Sequence, residues 1–207
     1  MKLWTTQPIA WYEKLQKDGI IFGDPKHSTW CIDREINHFR FAYNWLSGQM
    51  DKRIGMRPFR NALPIWVWYR YERKRPKPDL RYAGHLHRGE FGVRLEIEKQ
   101  DKDVLLSNFM LWTHPLNKWY IPKSEQDDKL FDSILYPFLE ANNLKFGNFD
   151  KYPAHIQEKI KKSWELIFDL DFADDYIASE KDEKVVQATF WSLRVDEVRE
   201  VTFFKAR

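Results

Sequence analysis

Residues 64–81 read PIWVWYRYERKRPKPDLR. The stretch 65–71, IWVWYRY, is built of β-branched and aromatic residues and is the strongest strand signal in the chain. The stretch 74–79 carries Pro76 and Pro78, which hold it extended, so it reads as a loop. A hydrophobic strand therefore delivers its end into a proline-stiffened basic loop.

Working outward, residues 91–98 alternate strictly. Phe91, Val93, Leu95 and Ile97 fall on one face, with Arg94, Glu96 and Glu98 on the other, as in a half-buried strand. Residues 2–5 read as a first strand, 104–106 as a short one, and 185–193 and 200–205 as two closing strands joined near Asp196. Helical spacing follows Pro8, with Thr5 or Thr6 as cap and Gly19 as stop. A second helix runs over 33–54, on Phe39, Ala42, Tyr43, Leu46, Met50 and Ile54. Ser107 is read as capping a turn of helix to Trp112. Further helices are expected over 126–142, interrupted by Pro137, and over 154–168. Strands at both ends with helices between predict one α+β domain over 1–207, on a mixed or antiparallel sheet with flanking helices. Segment 123–183 reads as a helical insertion or cap.

The chain has 207 residues, 43% hydrophobic and 31% charged, which excludes a disordered or low-complexity protein. No run approaches the roughly 20 apolar residues of a membrane span. The first ten residues lack the pattern of a signal peptide. A single cysteine, Cys31, excludes an internal disulfide framework, so a reducing cytoplasm is the expected compartment. The net charge is only +3, but it is unevenly spread. Residues 70–88 hold Arg70, Arg73, Lys74, Arg75, Lys77, Arg81 and Arg88 against Glu72 and Asp79. Residues 165–183 are acidic, with Lys181 the one base.

No metal site is expected. His85 and His87 share a spacing suited to ligation, but the other histidines are scattered and zinc wants three or four ligands. No Rossmann or P-loop glycine pattern occurs, and no nucleophile carries a local signature. What remains is the aromatic and basic stretch. Rings stack on a base and guanidiniums meet phosphates. Trp68 is the candidate stacking ring, Arg70, Arg73, Arg75 and Arg81 the candidate phosphate contacts, and His85 a further ligand-binding side chain. Asp79 stands where it can hold Arg81.

Two resemblances bear on function. MKLWTTQ at 1–7, FAYNW at 41–45, PIWVWY at 64–69, PDLR at 78–81, LLSNF at 105–109 and QATFW at 187–191 resemble a bacterial family whose domain has no assigned function. In layout the chain also resembles ADP-ribosyltransferase-like folds. Those carry a polar NAD contact on the N-terminal strand, an aromatic second strand, and a catalytic Glu on a late strand. The resemblance implies that Thr5, Thr6 and Gln7 hold the first position and Tyr69 or Tyr71 the second. Gln187 stands where the Glu is expected. Such a Glu hydrogen-bonds the ribose and stabilises developing positive charge; Gln does only the former. Gln187 and Tyr69 are thus the candidate catalytic residues, Thr5 and Gln7 ligand contacts, and NAD the implied cofactor. The expected function is binding of a nucleotide or nucleic acid, with ADP-ribosyltransferase-like activity left open. Two alternatives stand beside it: a non-enzymatic RNA-binding module of the small β-barrel type, and a protein-interaction domain.

Overall fold

The computed structural model of the chain describes residues 1–25, 39–72, 76–81 and 86–207. Cys31, Arg73, Arg75 and His85, and the start of the helix expected over 33–54, lie outside the described residues. The chain is α+β and divides into two compact units, Met1–Leu106 with Val185–Arg207, and Ser107–Lys184.

Six strands form one sheet: β1 (Lys2–Pro8), β3 (Ile65–Arg70), β4 (Phe91–Glu98), β5 (Leu105–Asn108), β6 (Val186–Phe190) and β8 (Val198–Lys205), in the order β5-β6-β3-β1-β4-β8. The pairs β1–β3, β1–β4, β3–β6 and β4–β8 are all antiparallel. A two-stranded ribbon joins β2 (Ile20–Phe22) to β7 (Ser192–Arg194). Period-two alternation gathers Leu3, Ile65, Val67, Val93, Leu95, Ile97, Ala188 and Phe190 in one core, with Leu15 of α1 (Ile9–Asp18), Ile21 and Leu193. Burying each large apolar side chain contributes about 1.5–3 kcal/mol before entropy is subtracted. Gly19 closes α1 at φ 74°, a left-handed conformation that glycine adopts freely, and its N–H reaches the Leu15 carbonyl. On the far side of the sheet, Tyr43 of α2 (Phe39–Arg53) meets Trp66 edge-on, with centroids 5.9 Å apart.

The second unit is helical. Met110–Trp112 forms a 3-10 turn leading into α3 (Thr113–Asn117), followed by α4 (Glu125–Ala141) and α5 (Ala154–Ser163). Ser124 caps α4 by accepting the Asp127 N–H at 3.2 Å. Phe131, Leu135, Leu139, Phe149, Ile156, Ile160, Trp164 and Ile167 are buried. Lys184 is buried too, and donates to the carbonyls of Leu170 and Phe172.

Several boundaries differ from the sequence reading. Strand 185–193 is two strands: the β3–β6 ladder ends at Phe190, and Ser192 begins pairing with β2. Trp191 makes the corner. Its indole N–H donates to the Gly55 carbonyl at 2.8 Å and the Arg57 guanidinium lies over its ring. That anchor is far away in sequence, so the local pattern does not mark the break. Thr5 and Thr6 belong to β1 and do not cap α1; Pro8 holds the cap position. Ser107 is buried in β5, and Asn108 accepts the Met110 N–H in its place. The helix over 154–168 is α-helical only to Ser163 and continues as a 3-10 turn from Trp164 to Phe168. Helix α4 runs through Pro137.

One ion pair ties the sheet to the β7–β8 corner. Lys99, just after β4, is buried, and its ammonium lies 2.7 Å and 2.9 Å from the Glu197 carboxylate oxygens and 3.0 Å from the Ser192 carbonyl. It also sits over the Phe190 ring at 4.8 Å. Removing one partner of such a pair strands a charge. Glu197→Ala is therefore expected to cost about 3 kcal/mol in urea denaturation, and Lys99→Met with Glu197→Ala to cost less than Glu197→Ala alone. A double variant no more stable than the single one would show that the stranded ammonium is not the source of the loss.

Candidate functional site

The sheet order brings together strands that lie far apart in the chain. Trp68 opposes Trp4 on one side and Gln187 on the other. Trp4 opposes Glu96, and Glu96 opposes Glu200. One transverse row, Gln187–Trp68–Trp4–Glu96–Glu200, thus crosses β6, β3, β1, β4 and β8. Opposed residues share a face, so these five side chains line one side of the sheet, away from Leu3, Val67 and Leu95.

The acidic end of the row needs compensation, because like charges directly opposed repel. The proline-stiffened loop supplies it. Lys77 places its ammonium 3.4 Å from Glu96 and 3.5 Å from Glu200, and Lys2 reaches Glu96 at 2.8 Å. The Trp4 indole N–H donates to the same carboxylate at 3.3 Å. Arg94 from β4 donates to the Pro78 carbonyl at 3.1 Å, holding the loop down. The Lys2 hydrogen bond, aided by the charges of Lys2 and Lys77, keeps the Glu96 carboxyl below its ordinary value against the contrary effect of burial.

The described sequence-predicted residues are scattered over several places, with Arg70 at the end of β3. Trp68 and Gln187 share the row. Thr5 and Gln7 lie on neighbouring alternate positions of β1, on the core-facing side, where the Gln7 amide donates to the buried Thr5 hydroxyl at 2.9 Å. Tyr69 packs partly buried against the core rather than beside Trp68. A bulge between Trp68 and Arg70 ends the regular ladder there. Arg81 stands apart from all of these. Its guanidinium is gripped by Asp79, with two contacts at 3.0 Å and one at 2.5 Å, and its side chain is 71% exposed.

A cleft of about 500 Å³ opens where β1 ends and β3 begins. Gln7 lines it together with Trp11, Tyr43, Phe59 and Trp66. Gly23 forms part of its wall and pairs with Leu63. A Cβ at Gly23 would lie 2.0 Å from the Leu63 carbonyl oxygen, so only glycine permits this approach. Lys14 and Asp18 stand at the rim as an exposed ion pair. Concave, mainly aromatic walls with a few polar groups are typical of small-molecule sites. Sequence reasoning missed Trp4, Trp11, Tyr43, Glu96 and Lys77. The alternating polar face of β4 was the one available signal, and it pointed to Glu96.

The family model described as Domain of unknown function (DUF3841) matches residues 2–199. The chain belongs to that family. No curated protein and no solved structure matches it. In this DUF3841 chain no helix among the described residues is long and apolar enough to cross a membrane.

The Glu96 ion pairs carry a pH signature. A carboxyl lowered on folding contributes stability that is present above its unfolded value, near 4.5, and is lost as the pH falls through the lower folded value. Glu96→Gln is expected to flatten the fall in melting temperature between about pH 5 and pH 3. An unchanged slope in that variant would mean that other carboxylates carry the acid limb.

Proposed function

We propose that the first unit binds a nucleotide of the NAD type in the cleft beside the row. The reading is carried by one observation. The three strands named by the resemblance to ADP-ribosyltransferase-like folds are adjacent in the sheet, as β6-β3-β1, with Gln187, Trp68 and Trp4 in opposed register. They come from opposite ends of the sequence, and only tertiary pairing unites them. The next pair along the ladder, Trp66 with Thr189, lies two residues or about 7 Å from Trp68 and Gln187. Trp66 also lines the cleft.

Within the cleft, Trp11, Tyr43 and Trp66 offer ring faces or edges to a planar base. Gln7 offers an amide to ribose or carboxamide. Lys14 can leave Asp18 for a phosphate at little cost, because exposed ion pairs are worth about 1 kcal/mol or less. A small nucleotide is favoured over a polymer. Of the basic residues expected to meet phosphates, Arg81 is engaged by Asp79, and the neighbouring Lys77 by Glu96 and Glu200.

The transferase step is a separate matter. Gln187 can accept or donate a hydrogen bond but brings no negative charge to a developing oxocarbenium. Glu96 is three strands away, about 14 Å, and already neutralised by Lys2 and Lys77. The arrangement therefore supports binding with weak or no transfer.

NAD at about 100 times its dissociation constant is expected to stabilise the protein by about 2.7 kcal/mol, a shift of a few degrees in melting temperature. Tyr43→Ala should reduce that shift. Gln187→Glu should leave binding intact and introduce or raise nicotinamide release. Absence of any NAD shift, together with a steeply salt-dependent shift with single-stranded RNA, would replace the reading with the RNA-binding one.

A further inference from the structure

The second unit has a cavity of its own, also about 500 Å³ and of different character. Trp119, Tyr136, Phe146 and Tyr176 line it, each between 41% and 52% exposed although aromatic. Large rings are seldom left this open four at a time around one hollow. Trp119 lies 6.2 Å edge-on from His114 and 6.4 Å from Phe146, so these rings make a continuous wall. Asp128 and Asp132, one turn apart on α4, add two carboxylates to the same lining. Among the described residues no lysine or arginine forms a salt bridge with either.

The polar groups of this wall are already arranged. The Tyr176 hydroxyl donates to Asp128 at 2.6 Å, and the Tyr120 hydroxyl to Asp127 at 2.8 Å. Tyr120 stacks on Phe131 at 4.1 Å, both rings also lining the cavity, and Lys159 sits over both. Burial holds the His114 imidazole below its ordinary pKa, so it is neutral at pH 7 and adds no positive charge. Burial and the charge of Asp128 push the Asp132 carboxyl up, the condition of an acid short of a counter-cation.

We propose that this cavity binds an organic cation carrying a quaternary ammonium group, with Trp119, Tyr136, Phe146 and Tyr176 as the cage and Asp128 and Asp132 as the counter-charge. Ring faces attract diffuse positive charge, and the attraction grows when water is excluded. A quaternary ammonium suits these walls better than a primary amine or a guanidinium. It has no N–H and spreads its charge over its methyl groups, which suits ring faces, whereas those groups carry directional N–H donors that ring faces do not satisfy. The same headgroup occurs on a free small molecule and on a trimethylated lysine of a peptide.

The test is calorimetric titration of the full chain with choline, with a trimethyllysine peptide, and with 3,3-dimethylbutanol, the uncharged isostere of choline. At least one of the two cations should bind saturably, and the isostere at least tenfold more weakly than choline. Trp119→Ala should weaken the cation about tenfold, and Asp132→Asn several-fold. Trp119 is partly exposed, and the hydrogen bond it accepts from the Trp164 indole uses its backbone carbonyl, so the variant keeps that contact. Circular dichroism of the variants checks their fold independently. Tighter binding of choline supports a free small molecule as the ligand, and tighter binding of the peptide a modified protein. No saturable binding of either cation, equal binding of the uncharged isostere, or unchanged affinity in both folded variants would overturn the proposal.

Discussion

The first unit depends on β1 being hydrogen-bonded along both edges. Residues 2–8 pair with 92–98 in unbroken register on one side and with β3 on the other. A strand in that position joins two halves of a sheet that otherwise share no ladder: β5-β6-β3 and β4-β8. Its alternate residues then do two jobs. Leu3 and Thr5 are buried with the core, while Trp4 seats its indole on Glu96. A one-residue slip would send Leu3 to the charged face and Trp4 into the core, so register is tightly specified. The closing strands arrive after the whole second unit. β6 must find β3, and β8 must find β4, across more than a hundred residues. Such pairing forms only after long loops close, which makes the sheet a late and cooperative element of folding.

Charge in this sheet is spent internally more than it is displayed. Read along the chain, residues 70–88 are a basic stretch waiting for phosphate. Read in space, two residues of that stretch, Lys77 and Arg81, meet carboxylates of the same unit. Lys77 bridges the opposed pair Glu96 and Glu200, and Asp79 curls around Arg81. The prolines on either side of Lys77 limit the conformations from which it must be ordered, so the contact forms at reduced entropic cost. Among the described residues Lys77 thus stabilises the row, and the cleft beside it is walled by rings.

How much of this was legible follows from how local each signal is. The strand 91–98 was readable to the residue, because strict alternation is a property of eight consecutive positions. Strand β3 and helix α1 announced themselves through β-branched and aromatic density and through Gly19. The corner at Trp191 was not readable. Residues 185–193 read as one strand, and the break is fixed by a contact remote in sequence, the Gly55 carbonyl. The site divides the same way. Trp68 could be named from the aromatic and basic stretch and Gln187 from a resemblance, but their direct opposition is a fact of strand order. The partnership of Glu96 with Lys77 and Trp4 joins three segments with no common local pattern, and the cleft draws its walls from β1, α1, α2 and β3.

The row also constrains what chemistry the sheet can hold. A carboxylate acts on a developing cation only from a few ångströms away, and only if its charge is not already spent. Glu96 and Glu200 fail on both counts. They lie beyond Trp4, and each is within ion-pair distance of Lys77. Position 187 adjoins Trp68 at the end of the row away from that cluster of charges. An amide there keeps the hydrogen-bonding shape of a carboxylate while removing its charge. On the proposed reading, recognition of a ribose and stabilisation of an oxocarbenium are separable at this single residue, because an amide serves the first and not the second.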